Sequence, residues 1–178
     1  MPSIHCLYGF AITITSNHYS RMSKTGSSHY ELCCKVAEWL YKKPWTGIKY
    51  VMVELVCQHQ ETPGVWGTNG WSSTIIEVKT ARSDFLADKK KPWRQSIKDG
   101  IGSFRWYLVP ENTVKPEEVP DYWGIIEHDG SKIVRIVREA KIVYGTDNCG
   151  DLAILCSILR REKFKNGIYN YRKQINNF

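Results

Sequence analysis

The tripeptide Glu77-Val78-Lys79 is the part of this sequence best suited to chemistry. It lies in a β-branched run, Ser72 to Thr80, and alternate side chains along a strand share a face. Glu77 and Lys79 therefore project together, about 7 Å apart along the chain, while Val78 packs behind them. Cleaving a phosphodiester needs carboxylates to hold a divalent cation, and a cationic group beside the attacking water or the phosphate. An acid and a lysine at this spacing supply one of each. The same pair also reads as a solvated strand face with one ion pair. Glu54, in Val53-Glu54-Leu55-Val56, brings a second carboxylate on a second apolar strand. It either faces solvent or shares a cation with Glu77, because an unpaired buried charge is costly.

The elements that must position these residues follow from periodicity. Ser28 and Glu31 form a capping box, and Leu32, Val36, Trp39 and Leu40 then repeat at helical spacing, so a helix is expected from about Tyr30 to Lys42, closed by Pro44. Strands are expected at Lys49–Cys57, Ser72–Thr80, Phe104–Val109, Trp123–Glu127 and Ile133–Val137, with a short extended piece at Gly64–Gly67. Asp129-Gly130 marks a hairpin. The basic stretch Asp84–Lys98 is partly helical and interrupted by Pro92. A last helix, about Cys149 to Lys163, is expected to turn Leu152, Leu155, Cys156 and Leu159 inward. The order describes a mixed sheet with helices packed on it.

Composition narrows the class. The chain has 178 residues, 42% hydrophobic and 24% charged, which suits one globular domain. Residues 1–22 read as an N-terminal arm or an extension of the gene, residues 23–165 as the domain, and 166–178 as a polar tail. Leu7–Ile14 is apolar but lacks the basic flank and cleavage site of a secretion signal. No stretch has the apolar length of a transmembrane helix, and no membrane partner is expected. A net charge of +7 favours a polyanion, nucleic acid before membrane. Six cysteines, at 6, 33, 34, 57, 149 and 156, form no C-x-x-C pair and have no histidine pair nearby at zinc spacing. Cys33, Cys57 and Cys156 read as small buried hydrophobes in a reducing, cytoplasmic compartment.

The run Ile76-Glu77-Val78-Lys79-Thr80-Ala81-Arg82-Ser83-Asp84-Phe85-Leu86-Ala87-Asp88-Lys89-Lys90 resembles the PD-(D/E)XK nuclease superfamily, in particular its MmcB-like DNA-repair branch. Glu54 stands where that branch has a glutamate on the preceding strand. Arg105–Pro110 and Val119–Ile126 look like its following segments, so the likeness spans roughly Glu54 to Arg138. It implies an α/β fold with a restriction-endonuclease-like mixed β-sheet core flanked by helices, of the αβββαβ type. It also implies a Mg²⁺- or Mn²⁺-dependent DNA endonuclease acting in repair or processing. Glu77 and Lys79 would be catalytic, and Glu54, Glu77 and the Val78 carbonyl would hold the metal. The sequence departs from the family at one point. The family's metal-binding aspartate would fall at Gly64, which offers no ligand, and the loop residue Glu61 is a poor substitute. Cleavage is therefore expected to be impaired, and an aspartate at position 64 to restore it. The alternative is an inactive nuclease-fold module that binds nucleic acid.

The remaining candidates each admit a plainer role. Arg82, Lys89, Lys90, Lys91 and Arg94 could grip phosphates or form a solvated basic face. Trp71, beside a turn, could stack on an unpaired base, whereas Trp106 reads as core. Glu31 is accounted for by its cap. His59 and His128 read as partnerless surface histidines. Asp84 and Asp88 are expected to cap and pair within the basic segment.

Overall fold

The computed structural model describes residues 28–162; the expectations for 1–22 and 166–178 lie outside the described residues. Helix α1 (His29–Lys42) starts at the expected capping box. Glu31 N donates to Ser28 Oγ at 3.3 Å and Ser28 N to Glu31 Oε2 at 2.9 Å. Such a cap stabilises a helix by ~1 kcal/mol. The buried stripe of α1 is Leu32, Cys33, Val36, Ala37 and Leu40.

Among the described residues six strands form one mixed sheet in chain order: β1 (Tyr50–Val53), β2 (Val65–Thr68), β3 (Ser73–Val78), β4 (Phe104–Pro110), β5 (Trp123–His128) and β6 (Ile133–Arg138). β1, β2 and β3 run antiparallel, β3, β4 and β5 parallel, and β6 returns antiparallel. A parallel step needs a crossover. Between β3 and β4 the chain supplies α2 (Arg82–Lys89) and α3 (Pro92–Gln95), with Pro92 opening the second piece as the sequence suggests. Helix α4 (Asn148–Arg161) closes the described chain. None of the described helices is long and apolar enough to cross a membrane.

The sheet divides the core in two. On one face α1 packs on Val65, Ile76, Val78, Trp106, Leu108 and Ile126. On the other, Phe85 and Ile154 pack with Trp66, Ile75, Ile101, Tyr107, Trp123 and Ile125. Because both faces are covered, every residue of β3 is buried, Glu77 included. Gly124 lets β5 lie under Trp106: a Cβ there would sit 2.1 Å from the indole.

Two expectations fail for identifiable reasons. β1 stops at Val53 because Glu54 adopts φ +46, which turns the chain out of the ladder. Helix α4 leaves Leu152, Leu155, Cys156 and Leu159 exposed and buries Gly150, Ile154 and Ser157 instead. Its rotation is set by polar anchors and by close approach. Asp151 accepts from Trp66 Nε1 (2.7 Å) and Ser73 Oγ (2.8 Å), while a Cβ at Gly150 would press to 2.4 Å from Ile101. Of the three cysteines read as buried, Cys33 is, Cys57 is half-buried and Cys156 is exposed.

Candidate active site at the end of strand β3

Glu77 and Lys79 do project from the same face, and they meet: Lys79 Nζ donates to Glu77 Oε2 at 3.0 Å, with both side chains 6% exposed. They are part of a larger closed network. Lys79 also lies 3.3 Å from Asp88 Oδ1, on α2. Arg94, from α3, reaches Glu61, Glu77 (2.7 Å) and Asp88 (2.9 Å), and its guanidinium stacks 5.1 Å from the Trp123 ring. Tyr107 Oη donates to Asp88 Oδ2 at 2.9 Å, and Lys91 reaches the same carboxylate from its rim at 2.7 Å. Glu61 further accepts from Ile101 N at 2.9 Å. Three carboxylates, Glu61, Glu77 and Asp88, thus face three cations, Lys79, Lys91 and Arg94.

Protonation follows from this packing. Burial works against the Lys79 ammonium, yet Glu77 and Asp88 outweigh it and hold its pKa above the ordinary lysine value. Burial likewise opposes the charged form of Asp88, but Arg94 and Lys79 pull its pKa well below the carboxylate range. Burial raises Glu61 more than Arg94 and the Ile101 amide lower it. Glu77 Oε1 has Arg94 at ion-pair distance without a well-directed hydrogen bond.

Glu54 is not drawn into this network. Its carboxylate Oε1 lies 2.8 Å from His29 Nδ1, and His29 Nε2 donates to the Val78 carbonyl at 3.1 Å. His128 donates from Nε2 to the next carbonyl, Lys79 O, at 3.0 Å, its Nδ1 accepting from Gly130 N. The backbone carbonyls of Val78 and Lys79 are each held by an imidazole. His29 and His128 were not legible as partners of this strand. His128, expected at the surface, is 3% exposed, and His59 pairs with Asp147 at 2.9 Å.

The basic candidates divide. Lys89 and Lys90 are exposed. Arg82 is held by Glu118 in a two-pronged pair and by Thr113 O. Arg94 is not a surface grip at all: it is 6% exposed and bound to carboxylates. Asp88 pairs within the basic segment, as its position suggested, and Asp84 accepts from Thr80 N. Glu61 proves to be a fixed, buried carboxylate rather than a loose one. Trp71 is 97% exposed, and Trp106 packs edge-on against Trp39. A cleft of about 340 Å³ opens beside Arg94, walled by Tyr107, Tyr122, Trp123 and Lys89.

A Mg²⁺ ion demands near-octahedral oxygen ligation. The oxygens expected to supply it are not gathered: Glu77 already has Lys79 and Arg94, Val78 O has His29, and Glu54 is turned to His29 rather than to Glu77. Gly64 adds none. The network's charges are already balanced, so the residues as arranged do not fit a Mg²⁺ shell.

No family model matches the chain, and a search of curated proteins finds no match. Among solved structures, the chain is similar to a protein of unknown function from Silicibacter pomeroyi. The identity is 21%, the TM-score 0.49, and the match covers 76% of this chain and 92% of that one.

Proposed function

We propose that this chain is a DNA-directed protein of the PD-(D/E)XK nuclease design, with a restriction-endonuclease-like core, that keeps the E-x-K pair but is impaired in metal-dependent cleavage. Its principal work is then to bind DNA in repair or processing, within the cytoplasm. The observation that carries the reading is Arg94. Its guanidinium sits among Glu61, Glu77 and Asp88, so a side chain supplies positive charge where an active nuclease would need a metal ion.

The succession of α1, three antiparallel strands, a helical crossover and a parallel strand agrees with the αβββαβ plan that the sequence resemblance implies. Exposed Lys89 and Lys90 beside a cleft walled by aromatic rings suit a phosphate backbone and an unstacked base. Lys79 and Glu77 act here as positioning residues for that wall, through Asp88 and Arg94.

The test is plasmid nicking and DNA binding by the purified protein. The expected result is salt-sensitive binding, with nicking in Mg²⁺ or Mn²⁺ no faster than that of Glu77→Gln. Metal-dependent nicking that Glu77→Gln abolishes would make the protein a working endonuclease. Absence of DNA binding at low salt would sink the DNA reading in either form.

A further inference from the structure

On the other side of the E-x-K strand end, three potential ligands of different chemistry converge. His29 Nδ1, Cys33 Sγ and a Glu54 carboxylate oxygen all lie within 4.8 Å of one another. His29 and Cys33 stand four residues apart on α1, one turn on the same face. Nδ1 is 2.8 Å from Glu54 Oε1 and 3.7 Å from Cys33 Sγ.

The hydrogen bonding restricts what lies between them. A carbonyl only accepts, so the contact with Val78 O fixes a proton on Nε2. Nδ1 then faces a carboxylate, also an acceptor, at 2.8 Å. That contact is favourable only if Nδ1 is protonated as well, giving an imidazolium, or if a cation bridges the two. An imidazole whose far nitrogen is held by a backbone carbonyl is the arrangement found behind metal-bound histidines. His29 and Glu54 are 43% and 40% exposed, which leaves an entry path, and Cys33 forms the floor. Gly64 lies against this floor: a Cβ there would come 3.2 Å from Cys33 Sγ.

We propose that His29, Cys33 and Glu54 form a site for a borderline-soft divalent cation of the Zn²⁺ class, with a water in the fourth position. Nitrogen, sulfur and carboxylate ligands in threes with one open position suit that ion and not Mg²⁺. Binding would release the Cys33 thiol proton and the Nδ1 proton to solvent. The site does not depend on the nuclease-design reading.

The experiment is titration of the full chain with Co²⁺, followed by competition with Zn²⁺. One equivalent is expected to give thiolate-to-cobalt charge-transfer absorption, displaced by Zn²⁺. Cys33→Ser should abolish that band, and His29→Gln and Glu54→Gln should each weaken binding at least about tenfold. Cys34→Ser should leave it intact. The two surface variants keep the test valid if Cys33→Ser folds poorly. Absence of the band in the wild type, or wild-type Co²⁺ affinity in both His29→Gln and Glu54→Gln, overturns the proposal.

Discussion

Two clusters meet at the end of β3 and handle charge in opposite ways. On the face covered by α2 and α3, Glu77 and Lys79 enter a dry network in which each buried carboxylate finds buried cations. At the edge near α1, His29 and Glu54 stand partly in water above the buried Cys33, with few partners. Burial makes the difference. In a low-dielectric interior an unmatched charge is too costly to keep, so Arg94 and Lys79 must balance Glu61, Glu77 and Asp88. At the edge, water screens the imbalance and the ligand atoms remain available. Of the two carboxylates that the sequence offered for a metal, Glu77 is thus the one that packing has neutralised, and Glu54 the one left at the edge.

The sharpest way to break this contrast is to remove one member from each cluster. Arg94→Leu leaves three buried carboxylates short of a partner and is expected to cost roughly 3–5 kcal/mol of stability. Glu54→Gln, at a half-exposed pair, is expected to cost less than about 1 kcal/mol. Urea unfolding of both variants measures the gap. Similar losses would mean that burial does not separate the two regions.

Acid should act on the buried network through Asp88 and Glu61, with opposite signs. The Asp88 carboxyl is depressed in the fold, so its stabilisation is present above its unfolded value of about 3.9 and is lost as pH falls through its lower folded value. Glu61 has the opposite sign. Its pKa is raised, so acid relieves a cost rather than removing a gain. Wild-type stability should therefore fall below about pH 4, and Asp88→Asn should flatten that fall. If Asp88→Asn loses stability by the same amount at every pH, the carboxylate's charge is not what holds the network.

Third in size is an effect on DNA. If the protein binds DNA as proposed, Arg94 is buried and Arg82 and Lys91 are held by Glu118 and Asp88, which leaves Lys89 and Lys90 for phosphate contact. Lys89→Glu with Lys90→Glu should weaken DNA binding for all sequences alike. The slope of log affinity against log salt should fall by about 2, one unit for each lost phosphate contact. An unchanged slope would move the binding surface to the far side of the sheet.

These regions were unequally legible in the sequence. Strand alternation placed Glu77 beside Lys79, and the capping box placed the start of α1, because both depend on neighbours along the chain. The closed network was not legible. Arg94 reads like any exposed arginine in a basic run, and only the fold of α2 and α3 onto Tyr107 and Trp123 turns it inward. His29 has four-residue spacing to Cys33 on a helix, a signal available in principle. Its link to Glu54, twenty-five residues on, needs the positive φ that ends β1. Helix α4 failed for the complementary reason. Its leucines have the right period, but Asp151 and Gly150 set which side docks.

The smallest expected effect belongs to Gly64→Asp, the change that the sequence alone would put first. Gly64 is not in the left-handed region, so an aspartate is not excluded by the backbone. Its Cβ, however, would meet Cys33 Sγ and the Ile76 carbonyl at 3.2 Å and Val78 Cγ2 at 3.5 Å. Those contacts are tight enough to cost about 1 kcal/mol. They also aim the new carboxylate at the α1 side of the sheet, toward Cys33, while Glu77 remains held by Arg94 and Lys79 on the other. Mg²⁺-dependent plasmid nicking should therefore stay at the wild-type level. Co²⁺ affinity at the His29 cluster should rise instead, because an aspartate carboxylate, the fourth ligand and the third anionic one, approaches the open position. Measuring nicking and Co²⁺ titration on the same preparation distinguishes the two regions directly. If nicking appears and Glu77→Gln removes it again, the aspartate has reached Glu77, Arg94 has yielded, and the two clusters are halves of one metal site rather than neighbours with opposite chemistry.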